Sequence, residues 1–445
     1  VVTATAAGPA RRVSPPPRRT AWTVVVPLLA AVVLGALAGF AALPVLLAAL
    51  ALVVGAAVVL RLEWVALALV AVSVFEDYAA HAGPGVVKGL AVLLVVAWLI
   101  RRCRGRLHHA PRSPVLVAAL AFVVVLLLAT ALHNNGAAGR DVLLRYAGFL
   151  AVLFVLADVL RGGLRPARLA QVYVVAAAAA AVCGLLTFAL GADRRVGGPI
   201  GDPNDFAFFL LPAVALGLAV RRTTRRSWPW DAATVVVLVA TLGTLSRGAL
   251  VGLSVMAVLA VAAGMIRLRG AVALVAVVSM AAGLVAVAFP GLVSVSLQQK
   301  DFVAQQNVSE RLDLWTAAAE MTVTHPVLGM GPGAFALHHR DFTTSLPDDI
   351  NHPLDVAHNT WLELSSELGV LGFLAFLAML VVAFAQAWSV WRRRRDPVAA
   401  AVCVGLVGTA ASATFVTEQY YLPMWLLCAL AVGVAAHADA REDDA

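Results

Sequence analysis

Long apolar runs separated by short hydrophilic breaks make up most of the chain. The runs fall near 21–40, 43–60, 64–76, 87–100, 114–132, 143–160, 169–190, 205–220, 232–245, 249–266, 271–289, 366–390, 398–416 and 420–436. A helix needs roughly 20 apolar residues to cross a bilayer. The spacing therefore predicts an all-α polytopic integral membrane protein of about 12–14 transmembrane helices. The short third run and the terminal pairs set that range. The organisation that follows is a basic tail at 1–20, helices one to eleven over 21–289, a large extracytoplasmic loop at 290–357, helices twelve to fourteen over 358–436, and a tail at 437–445.

Composition narrows the class further. Of 445 residues, 62% are hydrophobic and 13% charged, and the mean hydropathy is +0.90. These values exclude a compact soluble enzyme, a coiled coil and a disordered chain. The formal net charge of +8 would suit a nucleic-acid partner only if the basic residues formed one patch. Instead they sit in alternate breaks, from Arg11, Arg12, Arg18 and Arg19 through Arg101 and Arg102 to Arg392–Arg395. That is the positive-inside bias, with both termini cytoplasmic. Nucleic acid is not an expected partner; membrane lipids are. Pro15–Pro17 and the arginines around them read as a disordered tail, with a cleaved signal peptide as the weaker reading. Cys103, Cys183, Cys403 and Cys428 form no paired set in one loop.

With this topology, Lys88, Arg140, Arg145, Arg194, Arg195, Arg247, Lys300, Arg311 and Arg340 fall outside. Charges in or beside hydrocarbon cost about 2.5–3.5 kcal/mol on insertion scales and require a reason to be there. Arg247 is the only charge between Ala232 and Ile266. A helix of that length would span about 50 Å, too much for one crossing of a ~30 Å core. The chain must turn at Ser246-Arg247-Gly248. The guanidinium there either snorkels at a helix end or binds an anion. Arg145, at the start of the sixth helix, and Arg194 with Arg195, before the eighth, are further candidates for the same anion. Asp202, Asn204 and Asp205 either cap the eighth helix or contact sugar hydroxyls; their spacing does not suggest a metal.

The 290–357 loop is the only long hydrophilic segment, and it holds three basic and eight acidic residues. Any anion site in it must use individual arginines. Asn307 followed by Glu310 resembles a capping box, predicting a helix over 308–324 with Arg311 and Trp315 on one face and Pro326 ending it. Asn307-Val308-Ser309 also fits a glycosylation sequon. A Gly-rich turn follows at 329–333, without the Lys-Ser/Thr of a phosphate-binding loop. A second helix is expected to begin near Asp355, with His358 on its first turns and Asp355 one turn earlier, where it could hold the imidazole tautomer. His358 is the candidate for proton transfer, although a lone histidine can be purely structural.

Four pieces in order carry a resemblance: Gly201-Asp-Pro-Asn-Asp-Phe-Ala207; Leu245-Ser-Arg-Gly-Ala-Leu250; Arg311-Leu-Asp-Leu-Trp315 with His325-Pro-Val-Leu-Gly-Met-Gly-Pro-Gly333; and His358-Asn359, nine residues, then Gly369-Val-Leu-Gly372. Over about 200–372 the chain resembles the O-antigen ligase and polymerase family of bacterial lipid-linked glycan transferases. The resemblance implies a GT-C-like membrane glycosyltransferase in the bacterial plasma (inner) membrane, with its site on the extracytoplasmic side. It also implies an undecaprenyl-diphosphate-linked glycan as donor, a glycan or lipid-glycan as acceptor, and no metal or other cofactor. By motif, the family's essential arginines and histidine fall on Arg247, Arg311 and His358. Polymerisation of lipid-linked repeat units is the alternative within the family. A flippase or secondary transporter is the remoter one, since the ionisable groups gather at the outer face rather than the midplane.

Overall fold

The computed structural model describes residues 61–76, 78–79, 85–103, 113–191, 195–270, 272, 287, 310–343 and 355–443. The expected basic tail, the first two apolar runs, most of the eleventh, Arg194, Asn307 and much of the large loop lie outside these residues.

The described chain is helical, with no strand. Its helices are α1 (Leu62–Val72, continued by a 3-10 turn Ser73–Phe75), α2 (Val86–Cys103), α3 (Pro114–Leu132), α4 (Gly136–Arg161), α5 (Pro166–Ala189), α6 (Pro203–Thr223), α7 (Trp228–Gly243), α8 (Arg247–Ala262), α9 (310–324), α10 (Ala334–His338), α11 (Thr360–Arg394), α12 (Pro397–Ser412) and α13 (Leu422–Asp443). Six are long and apolar enough to cross a membrane: α3, α4, α5, α6, α11 and α13 over Leu422–Ala440. α1, α7, α8 and α12 are shorter apolar helices.

Most helices lie where an apolar run predicts one; α9 lies where a helix is expected within the large loop, α10 follows from no apolar run, and most of the ends have local causes. Pro stands at the first turn of α3, α5, α6, α7 and α12, where its missing N–H removes nothing. Asp396 caps α12, accepting from Val398 N–H at 2.8 Å and Ala399 N–H at 3.0 Å. α4 begins seven residues before its apolar run, because Arg140 and Asp141 are polar yet helical. The expected turn at 246–248 is real: α7 ends at Gly243, Leu245 takes φ 54°, and Ser246 caps α8.

Two surfaces differ in kind. α3 exposes Val117, Leu120, Val124, Leu127, Leu128 and Leu132, a stripe at helical spacing that water would penalise and lipid accepts. α6 and α13 are instead the most enclosed of the six. α6 packs against α5, α7 and α12, while α13 packs against α4 and α11. α8 lies on α12, and Gly252 and Gly408 let the two backbones approach.

α11 is broken in its third turn. Gly369 has φ 66° and ψ −173°, a region open only to glycine. The 326–331 segment fills the opening. Met330 N–H donates to Ser366 O at 3.0 Å and Gly331 N–H to Glu367 O at 2.8 Å; Val370 N–H donates to Pro326 O at 2.8 Å and Leu371 N–H to Val327 O at 3.3 Å. Backbone groups released by the kink are thus paired again by the Gly-rich turn, as an apolar interior requires. On its other side that turn is held by Asn135, whose amide donates to Met330 O at 3.1 Å and Pro332 O at 2.9 Å. α9 rests on the same platform, where Leu314, Ala318 and Met321 pack with Ala334, Phe335 and Ala357.

Candidate functional site

The polar residues gather around the link between α12 and α13, residues 413–421. Few of its side chains stand out in the sequence, because Thr417-Glu-Gln-Tyr-Tyr421 is a short break without a cation. Three helix N-termini approach this link: those of α6, α8 and α11. Each brings the positive end of its dipole, which suits an anionic ligand.

The α6 terminus carries Asp202, Asn204 and Asp205, and the structure separates their tasks. Asp202 is the cap, accepting from Asn204 N–H at 2.6 Å and Asp205 N–H at 3.2 Å. Asn204 Oδ1 accepts from Arg195 at 3.2 Å, and Asp205 Oδ2 accepts from the Tyr421 hydroxyl at 3.4 Å. Arg195 also donates through Nε to Thr244 O at 2.7 Å, tying the strap before α6 to the turn that presents Arg247. Arg247 itself is exposed on the first turn of α8, where Gly248 lies against Phe415 and Ser412.

Arg311 reaches the link from α9, donating to Phe415 O at 3.2 Å. The Trp315 ring lies 6.3 Å from the Phe415 ring, so the two α9 residues share a face as the spacing predicts. Arg311 Nε and Trp315 Nε1 are buried without a hydrogen-bond partner among the described residues. Burial lowers the Arg311 pKa, Asp202 opposes that, and Arg247 lowers it again. Arg195 is likewise lowered by burial, raised by Asp202 and lowered by Arg311. Arg195 and Arg311 therefore share the field of Asp202, and Glu310 also supports the charge of Arg311. Arg145, exposed on α4, stands over the Tyr420 ring of the link at 5.7 Å.

His358 corrects an expectation. α11 does not begin near Asp355; residues 355–359 are not helical, and the first helical residue is Thr360. The Asn359 side chain accepts from Trp361 N–H at 3.0 Å and Leu362 N–H at 3.2 Å, which starts the helix there. Asp355, exposed and outside the helix, therefore does not stand one helical turn before His358. His358 is half-buried in left-handed backbone with φ 50°. Its neighbours are fixed to the link: Thr360 N–H donates to Ala413 O at 2.9 Å and Val416 O at 3.0 Å, and Glu418 N–H donates to Thr360 Oγ1 at 2.9 Å. Arg311 and the segment holding His358 thus bind adjacent carbonyls, those of Phe415 and Val416.

Buried acids complete the surroundings. Glu363, Glu367 and Glu418 are almost wholly enclosed. Glu367 accepts from the Tyr420 hydroxyl at 3.2 Å. Burial pushes the Glu418 carboxyl well above its ordinary range, and neighbouring Asp205 pushes it further. These acids went unmarked in the sequence reading, although a carboxyl beside apolar runs is itself a signal.

Residues 232–377 match the family model described as O-antigen ligase (Wzy_C), consistent with an O-antigen ligase family. The matched segment includes Arg247, Arg311 and His358, whereas Arg195, the α6 terminus and the 413–421 link lie outside it. No curated protein matches the chain. The matched domain supports a membrane enzyme of O-antigen ligase or polymerase type.

Proposed function

We propose that this protein is a GT-C-like membrane glycosyltransferase that moves a glycan from an undecaprenyl-diphosphate carrier to an acceptor hydroxyl at the outer face of the bacterial plasma membrane. The observation that carries this reading is the attachment of Arg311 and of the His358 segment to neighbouring carbonyls of one link, with Gly248, next to Arg247, against the same link.

In this reaction His358 takes the proton of the acceptor hydroxyl as its oxygen attacks the anomeric carbon. The bond from that carbon to the diphosphate oxygen breaks with inversion, and the lipid diphosphate leaves with the electron pair. Arg247 and Arg311 meet the charge that develops on it, helped by the α6, α8 and α11 dipoles. The unpartnered Arg311 Nε is a donor suited to a phosphate oxygen. Arg195 and Arg145 widen the positive rim. One displacement needs one base and no carboxylate nucleophile.

The test uses purified full-length protein in lipid nanodiscs with a lipid-linked oligosaccharide. His358→Ala should lower transfer by about 10²–10⁴-fold, the usual contribution of a general base, with donor binding largely kept. Full activity in that variant would overturn the base assignment. Arg247→Ala and Arg311→Ala should each weaken donor binding, and normal affinity in both would remove them from the diphosphate site. Longer glycans as product would mark a polymerase; transfer to a second acceptor would mark a ligase.

A further inference from the structure

The first two turns of α11 carry two buried carboxyls that the displacement above does not use, Glu363 and Glu367. Glu363 holds three groups from two separate segments. Its Oε2 accepts from Ala357 N–H at 2.8 Å and from the Thr417 hydroxyl at 2.9 Å, and its Oε1 accepts from the Gln419 amide at 2.9 Å. One segment immediately precedes His358; the other is the link to which Arg311 is bonded.

The backbone of His358 makes this attachment necessary. Left-handed backbone costs a residue with a side chain roughly 1–2 kcal/mol and persists only where its surroundings hold it. On the C-terminal side the Asn359 cap and the Thr360 bonds hold it. On the N-terminal side the described hold is Ala357 N–H on Glu363. Without Glu363, the 355–357 segment could relax and shift His358 relative to the link.

We propose that Glu363 is a positioning residue: its carboxyl sets where His358 stands relative to the Arg311-bearing link, and it acts on the reaction through His358 without touching substrate. This inference rests on the assignment of His358 as base. All three groups donate to Glu363, so the requirement is for an acceptor oxygen facing Ala357 and Thr417 and a hydrogen-bond partner for the Gln419 amide. A glutamine meets both if its oxygen faces Ala357 and Thr417 and the Gln419 amide turns over to accept from its nitrogen.

The experiment compares Glu363→Gln, Glu363→Ala, Thr417→Val and Thr417→Ser with His358→Ala in the nanodisc transfer assay, measuring kcat and donor KM separately. Glu363→Gln and Thr417→Ser should stay within about 3-fold of the parent kcat. Glu363→Ala should lose kcat by about 10²-fold, the scale of a 1 Å misplacement, with donor KM within about 2-fold. Thr417→Val, close in shape to threonine but without the hydroxyl, should lose kcat by about 10-fold, again with KM kept. The Thr417 pair carries the test if Glu363→Ala does not fold. An equal loss in Glu363→Gln and Glu363→Ala would overturn the proposal by giving the carboxyl a part in the chemistry itself. Unchanged kcat in Thr417→Val, or a parallel change in KM, would also overturn it. Activity in His358→Ala would instead defeat the base assignment, so the two failures are separable.

Discussion

Arg311 combines two demands that a simple cation could not meet. One guanidinium nitrogen is committed to Phe415 O, while Nε remains without a partner among the described residues. Lysine would keep the charge but offers one compact ammonium in place of a rigid fork. Arg311→Lys should therefore raise the donor KM by about 10-fold, the loss of one charge-assisted hydrogen bond, with a smaller effect on kcat. A donor titration that leaves KM unchanged would contradict the fork argument. Arg247 was legible from the sequence because a guanidinium beside apolar residues is conspicuous, and Arg311 because the expected loop helix puts it on one face with Trp315. Glu363, Glu367 and Glu418 were equally out of place and were missed, since attention to an anionic ligand directs the search toward cations. The position of His358 was not legible, because it depends on a cap one residue later and on a link more than fifty residues away.

Most positions of the described membrane-length helices follow from apolar runs alone, because a bilayer forces backbone groups into helical pairing. The break in α11 does not follow from them. Hydropathy passes through Gly369 without change, and the segment that pairs with the opened backbone lies about forty residues earlier. The Gly-rich turn at 329–333 was legible as a turn, but its partner was not. A Cβ at Gly369 would overlap the Val327 carbonyl, and the backbone there suits glycine only. Gly369→Ala should therefore cost about 2–5 kcal/mol, combining strain with overpacking. Thermal unfolding in detergent measures this, with Gly270→Ala as a control at a position with open space around it. Equal midpoints in the two variants would show that the break is not held by the 326–331 segment.

The bundle has two chemically different ends. At one, arginines occupy the last turns of α2, α4, α6 and α11. Arg222 ties the α6 end to Gly264 O and Met265 O beyond α8, and Arg102, Arg392 and Arg395 lie over Trp98, Trp388 and Trp391, an arrangement suited to a lipid interface. At the other end stand the α6, α8 and α11 N-termini with the 413–421 link. The arginine-rich end should face the cytoplasm, which would set the candidate site toward the outer compartment where a flipped lipid-linked donor is presented. Introduced cysteines test this after the exposed Cys103 and the half-buried Cys183 are replaced by serine. Asp141→Cys, exposed near the start of α4 on the site end, should react with a membrane-impermeant maleimide in spheroplasts. Arg225→Cys, exposed between α6 and α7, should react only after permeabilisation. The opposite pattern would put the arginines of the site on the cytoplasmic side. Transfer from a donor displayed at the outer face would then have no route to His358, whatever the geometry around the link.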